Sequence, residues 1–162
     1  MAATLDEDIL ASVLPGRWSI AATNFPMWLK GDRTEPHFSY ELLAQHPLVL
    51  SDDVSYLDAE GELKHIIGTD TFAWDEFRWR GKGLLRFFAS HWSVSGISPD
   101  GSVAVIRFSK SLATPAGIDI IVREGTEVPE LRAMIARTTE AFGLSPEDFG
   151  SLTWLVPAAS AR

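Results

Sequence analysis

Gly16-Arg17-Trp18-Ser19-Ile20-Ala21-Ala22-Thr23-Asn24-Phe25 is the stretch on which the fold turns. Before it, Leu5–Leu14 predicts a short helix, with Leu5, Ile9, Leu10 and Val13 on one face and acids in the first turn. Pro15-Gly16 ends that helix, and Ser19–Phe25 reads as a strand beginning at Trp18. Alternation from Trp18 places Ile20, Ala22 and Asn24 on one face. With Trp18 inward, Asn24 lies inside, where a buried amide must bond either a ligand carbonyl or a neighbouring backbone group.

Outward from this strand the chain is strands and turns. Pro26–Pro36 is a loop, long for a hairpin connection, with two prolines, a glycine and mixed charges. His37–Leu43, Val49–Leu57, Leu63–Phe72, Phe77–Arg80, Leu84–Phe88, Trp92–Ile97, Val103–Phe108 and Ile118–Val122 read as strands. Between them lie turns at Gln45–Pro47, Asp58–Gly61, Gly81–Gly83 and Ser98-Pro99-Asp100-Gly101, the last with proline and glycine where a tight turn favours them. Beyond the strands the period becomes helical: Leu131, Met134, Ile135, Thr138 and Phe142 form one stripe, and Gly143 stands at the C-cap position. Ser145-Pro146-Glu147-Asp148 opens a further short helix. Short strands at roughly ten-residue spacing, followed by one helix, predict a sandwich or barrel and not a parallel βαβ sheet. Residues 1–162 read as one domain, without repeats or linkers.

Composition narrows the function classes. The chain has 162 residues, enough for a core without staples, and carries six Trp and nine Phe against two Tyr. Such rings suit a packed core or an apolar cavity. A net charge of −8 disfavours nucleic acid and anionic membrane surfaces. The absence of cysteine excludes disulfides and thiolate chemistry, and weakly favours the cytosol. Met1–Leu10 has neither the basic nor the apolar segment of a signal peptide, and no apolar run is long enough to span a membrane. A cytoplasmic protein, monomer or homodimer, is the expectation. Phosphate-binding glycine loops, nucleophile elbows and metal-ligand clusters are missing, so neither metal nor cofactor is expected; a haem on His65 or His91 has no specific support.

Gly16-Arg17-Trp18 resembles the G-x-W signature of lipocalins. Val103–Phe108 and Gly117–Arg123 resemble the last two strands of that barrel, the second ending in the family's arginine, and Thr126–Phe142 lies where the family carries its C-terminal helix. The resemblance implies an eight-stranded antiparallel up-and-down β-barrel with a short N-terminal helix and a C-terminal α-helix. It further implies that Gly16, Trp18 and Arg123 are structural, with Arg123 across the Trp18 indole at the closed end, and that the first loop folds over the open mouth. The lack of cysteines and of a secretion signal departs from the family's usual setting.

Phe25, Met27, Trp28 and Leu29 in that first loop are apolar where loops normally are not. They either grip a hydrophobic ligand, with Lys30 placed to pair with its carboxylate, or form a plug or dimer contact. Tyr40, His65 and Asp70, polar groups in predicted strands, are candidates for acid–base chemistry should they converge; His37 is another such group, and His46, beside Pro47, belongs on the surface. Arg86 binds an anionic head if inward, with Phe88 on its face, or meets a surface acid if outward. The expected function is binding of a hydrophobic small molecule, such as a fatty acid, lipid, isoprenoid or polyketide. The alternative is an isomerase or cyclase acting on such a molecule.

Overall fold

In the computed structural model the described residues are 5–87, 89–111 and 115–155. Helix α1 (Glu7–Val13) is capped by the Asp6 side chain, which accepts from the Ile9 amide. Eight strands follow: β1 (Gly16–Thr23), β2 (Thr34–Ala44), β3 (Val49–Leu57), β4 (Leu63–Ala73), β5 (Glu76–Gly81), β6 (Ala89–Ile97), β7 (Val103–Phe108) and β8 (Gly117–Arg123). Each pairs antiparallel with the next, and β1 pairs with both β8 and β2, so these eight close into a barrel, while a ninth, two-residue strand, β9 (Thr153–Trp154), pairs with β1 at Ala22 and Thr23. The eight-stranded up-and-down barrel expected from the sequence is the observed fold.

Alternation divides every strand into an inner and an outer row. Ile20, Phe38, Tyr40, Leu50, Phe77, Trp92, Ala104, Ile106 and Ile121 belong to the core inside the barrel. Val103, Val105, Ile118, Ile120 and Val122 face outward, beneath α3 (Leu131–Arg137) and the 3-10 turn Thr139–Phe142. β7 and β8 are therefore buried on both faces, which explains their nearly continuous apolar sequences. Helix α4 (Pro146–Gly150) begins in a reciprocal capping box between Ser145 and Asp148. Asp148 also takes Arg107 of β7 at 2.6 Å, fastening this layer to the barrel.

Four local expectations are corrected. The strand expected over Leu84–Phe88 is not found in residues 84–87: Gly83–Phe87 form a 3-10 turn. Gly81 permits this because Leu85 folds back onto its α-carbon, within 2.3 Å of where a β-carbon would sit. The first loop contains a one-turn helix, α2 (Pro26–Leu29), and β2 already begins at Thr34. The C-terminal helix is interrupted at Thr138, whose backbone leaves the helical region; Gly143, left-handed at φ 66°, caps the 3-10 turn that follows. A bulge between Ile20 and Ala22 reverses the alternation in β1, so Ala22 joins the outer core.

At one end the barrel is sealed. The Trp18 indole is fully buried and donates to the Leu14 carbonyl at 2.9 Å. The Arg123 guanidinium lies 4.4 Å from the Trp18 ring and donates to the carbonyls of Val13 and Pro15. Gly16 has φ 129°, and a β-carbon there would lie 2.5 Å from the Arg123 guanidinium, so glycine is needed on both counts. Arg123→Ala removes one ring contact and two charge-assisted hydrogen bonds, and should lower stability by about 3 kcal/mol. Urea unfolding should show the loss as a lower midpoint at unchanged slope, with Arg123→Lys recovering only part of it.

Candidate functional site

The other end of the barrel opens into a cavity of about 420 Å³. Its walls are largely aromatic: Phe25 and Trp28 from the first loop, Phe38 and Tyr40 from β2, Trp79 from β5, Trp92 from β6 and Phe108 from β7. At its base Tyr40 and Trp92 stack with the deeper Phe77, with Tyr40–Trp92 centroids 5.7 Å and Phe77–Trp92 centroids 4.3 Å apart. Gly68 makes room for the Trp79 indole, which lies within 2.3 Å of a β-carbon position there. Around the open end, the connections carry the exposed side chains of Leu29, Leu84 and Phe87.

The first loop is lid and wall at once. Phe25 is buried, its ring against Gly117 and 5.4 Å from Phe108. Trp28 is buried edge-on to Tyr56 at 5.8 Å, and the Arg33 guanidinium lies 4.8 Å from the centre of the Tyr56 ring. Met27 and Lys30 also line the cavity, Lys30 from an exposed position at its mouth.

Three carboxyl groups are buried inside this apolar barrel. Asp52, Asp70 and Asp119 are 5%, 0% and 1% exposed, on β3, β4 and β8. Asp52 and Asp119 line the cavity, and Asp70 lies behind them, accepting from the Trp92 indole N–H at 2.9 Å. Asp52 sits opposite Gly68, so Asp70, two residues on, is its diagonal neighbour. With two acids buried this close together, burial and their mutual charge favour the protonated form of at least one. Burial first, then the Asp70 charge and hydrogen bond, pushes Asp52 well above the usual carboxylate range; burial raises Asp70 as well.

Asp119 stands apart from that pair. Thr23 and the Trp28 indole lie beside it and favour its ionised form, yet neither makes a well-formed hydrogen bond, and both carboxyl oxygens lack a partner among the described residues. Burial outweighs these neighbours and pushes Asp119 up to about 7. Burial also raises the Tyr40 hydroxyl, with Asp52, Asp70 and Asp119 adding to it through their charges.

The structure scatters the remaining candidates. The β1 bulge turns Asn24 out of the barrel: its carbonyl accepts from the Ile118 amide at 2.6 Å, and its amide donates to Ser151 at 3.0 Å. It pins the C-terminal layer and takes no part in lining the cavity. His65 is on the outer face of β4, 2.8 Å from Asp53, so His65 and Asp70 do not converge. Arg86 is exposed in the 3-10 turn with its guanidinium 4.6 Å from the Phe87 ring. His37 is half-buried outside the barrel, 4.0 Å from Glu124; His91 is exposed, and His46 pairs at the surface with Glu7 and Asp8. Phe88 lies outside the described residues. No group of three or more His, Asp or Glu side chains with metal-binding geometry occurs among the described residues.

Asp52 and Asp119 escaped the sequence reading, although one signal was available. Asp119 is the single charge within Ile118–Val122, and it shares a face with Arg123, four residues on. An inward Arg123 therefore implied an inward Asp119. Asp52 was hidden in Ser51-Asp52-Asp53, where either acid could have been the outer one.

A wider groove of about 1280 Å³ lies outside the barrel, where β1 and β2 part beyond the Ser19–His37 pair. Val122, Val128, Leu131 and Leu155 line it, and its polar groups are all exposed or half-buried.

Among solved structures the chain is similar to lobster apocrustacyanin A1, with 14% identity over 99% of this chain and 90% of that one, at a TM-score of 0.61. It is similar to the cockroach allergen Per a 4, with 15% identity over 85% and 83% of the two chains and a TM-score of 0.59. A siderocalin, Ex-FABP, described as having dual ligand specificities, matches at 16% identity over 90% and 96%, also at 0.59. These likenesses and the closed eight-strand order define a lipocalin fold. No family model and no curated protein matches the sequence.

The raised carboxyls make stability fall with rising pH. Between an ordinary carboxylate value and about 7, folded Asp119 holds a proton that the unfolded chain has released, so folding becomes less favourable through that window and levels off above it. The Asp52–Asp70 pair acts in the same direction. Asp58, Asp100 and Asp148, whose values are lowered, act oppositely but only in acid. Urea unfolding should therefore give stability lower by on the order of 2 kcal/mol at about pH 8 than at about pH 5. Asp119→Asn should flatten much of that slope.

Proposed function

We propose that the barrel interior binds a small, largely apolar molecule. The observation that carries this reading is the 420 Å³ aromatic-walled cavity, open beneath a lid of Phe25 and Trp28 and floored by stacked rings. Pockets of this size and character suit drug-sized ligands. The similarity to a siderocalin described as having dual ligand specificities supports ligand binding in general. The mouth's Leu29, Leu84 and Phe87 give an apolar molecule a path inward.

A catalytic reading is favoured by one specific feature, the adjacent buried acids Asp52 and Asp70, whose protonated forms are favoured by burial. A carboxylic acid facing an apolar cavity is suited to protonating an alkene or epoxide, the opening step of an isomerisation or cyclisation. Asp52 is the member of the pair that lines the cavity, so it would touch the substrate and Asp70 would position it.

Native mass spectrometry of the purified protein, followed by extraction, should reveal whether a compound is retained at one per chain. With the neutral dye Nile red as probe, the unaltered protein should bind with enhanced fluorescence. Val54→Trp, which fills the cavity from β3, should weaken that binding about tenfold or more while leaving the near-ultraviolet circular dichroism of a folded barrel. Undiminished binding in this variant would place the dye elsewhere and sink the reading.

A further inference from the structure

We propose that this cavity selects an organic monocation, a protonated amine on an aromatic or apolar frame, with its charge seated against Asp119. This inference rests on the reading of the barrel interior as the binding site and names the chemical class that the site prefers.

The argument begins with what Asp119 lacks. A carboxyl 1% exposed, with neither oxygen hydrogen-bonded among the described residues, is costly to fold around. Neighbouring groups do not relieve it. Thr23 and Trp28 lie beside it and favour its ionised form, but neither reaches hydrogen-bond geometry with either oxygen. Asp119 lines the cavity, so a donor within the cavity can reach it.

Charge decides which donor. The ionisable groups facing Asp119 across the barrel are Tyr40 on β2, Asp52 on β3 and Asp70 on β4. None is cationic, so none can offset a charge on Asp119. The basic side chains lining the cavity, Lys30 and Arg33, stand at its mouth, Lys30 exposed and Arg33 committed to the Tyr56 ring. Arg123, at the sealed end, is engaged by Trp18 and two carbonyls. An anionic ligand would be repelled by the interior, and the fatty-acid carboxylate imagined for Lys30 has no buried cation to meet.

The walls complete the recognition. Phe25 and Phe108 pack at Gly117, which shares the inner face of β8 with Asp119, and Trp28 lies beside the carboxyl itself. Ring faces and a carboxylate together recognise an ammonium, the rings through their quadrupoles and the carboxylate through its charge and lone pairs. Binding of the cation expels the proton from Asp119 to solvent, so affinity depends on pH even though the amine stays charged.

Tryptamine, its neutral analogue tryptophol and its anionic analogue indolepropionate test the proposal by calorimetric titration at about pH 8. Tryptamine should bind about tenfold or more tightly than either analogue, and Asp119→Asn should abolish the difference. In the unaltered protein, tryptamine affinity should rise between about pH 6 and about pH 8 while tryptophol affinity stays flat. Equal or tighter binding of tryptophol or indolepropionate would overturn the cation preference, and so would a flat tryptamine series, which decides the matter should Asp119→Asn fail to fold. Nile red separates the two levels: if it binds and tryptamine does not, the cation proposal falls and the binding cavity stands, whereas if neither binds, both fall.

Discussion

The contact between Arg123 and Trp18 holds the barrel's ends apart in character. One guanidinium bridges the last strand, the indole of the first strand and the carbonyls of Val13 and Pro15, where the N-terminal helix meets the barrel. It thereby fixes three elements that are distant in sequence and lets the Trp18 ring fill the sealed end. A barrel of eight strands is wide enough inside for side chains or for one small ligand. Because the seal and the Tyr40–Trp92–Phe77 stack occupy the lower part, the remaining space is gathered at the mouth. A barrel packed evenly along its length would have no comparable cavity.

Against that frame the inward carboxyls are a cost that the fold carries without structural return. Asp70 accepts from Trp92 and lies diagonal to Asp52, yet each of the two acids leaves one buried oxygen without a partner among the described residues. Asp119 leaves both of its oxygens so. An apolar residue of similar size would pack against Ile106 and Thr23 with neither desolvation nor an orphaned acceptor. Interiors that tolerate such a group commonly do so at functional sites, where stability and activity oppose each other. The outer layer compensates: β7 and β8 are buried on both faces, and the Arg107–Asp148 pair and the Ser145 capping box fasten the C-terminal elements over them.

Much of this was legible because local patterns and the global fold agree. Trp18, the Ser98–Gly101 turn and the apolar strands Val103–Phe108 and Ile118–Val122 each have a local signature, and each stands where that signature places it. The failures have local causes. A bulge adds one residue to β1, and since strand faces alternate, that single insertion sends Ala22 and Asn24 outward. The apolar run Leu84–Phe88 has strand composition, but the Gly81–Gly83 corner returns the chain upon itself before pairing can start, and Leu85 settles over Gly81. Thr138 stops a helical stripe whose apolar spacing continues to Phe142, because the stripe records which residues face the barrel and not whether the backbone between them is continuous.

The site was harder to read than the fold for a related reason. His65 and Asp70 are five residues apart, an odd separation, so one must point in when the other points out. Their divergence was thus implicit in the alternation that identified β4 as a strand. Asp70 and Asp52 share a face only through the register of β3 on β4, and Asp119 reaches the same interior from the far side of the closed sheet. Convergence of this kind is a property of barrel closure. Once Trp18 fixes which face of β1 is inward and Arg123 does the same for β8, parity carries the assignment along each strand until a bulge intervenes. The carboxyls of β3, β4 and β8 then lie inside because the strands that bear them have no other way to bury their apolar neighbours Leu50, Phe72 and Ile121.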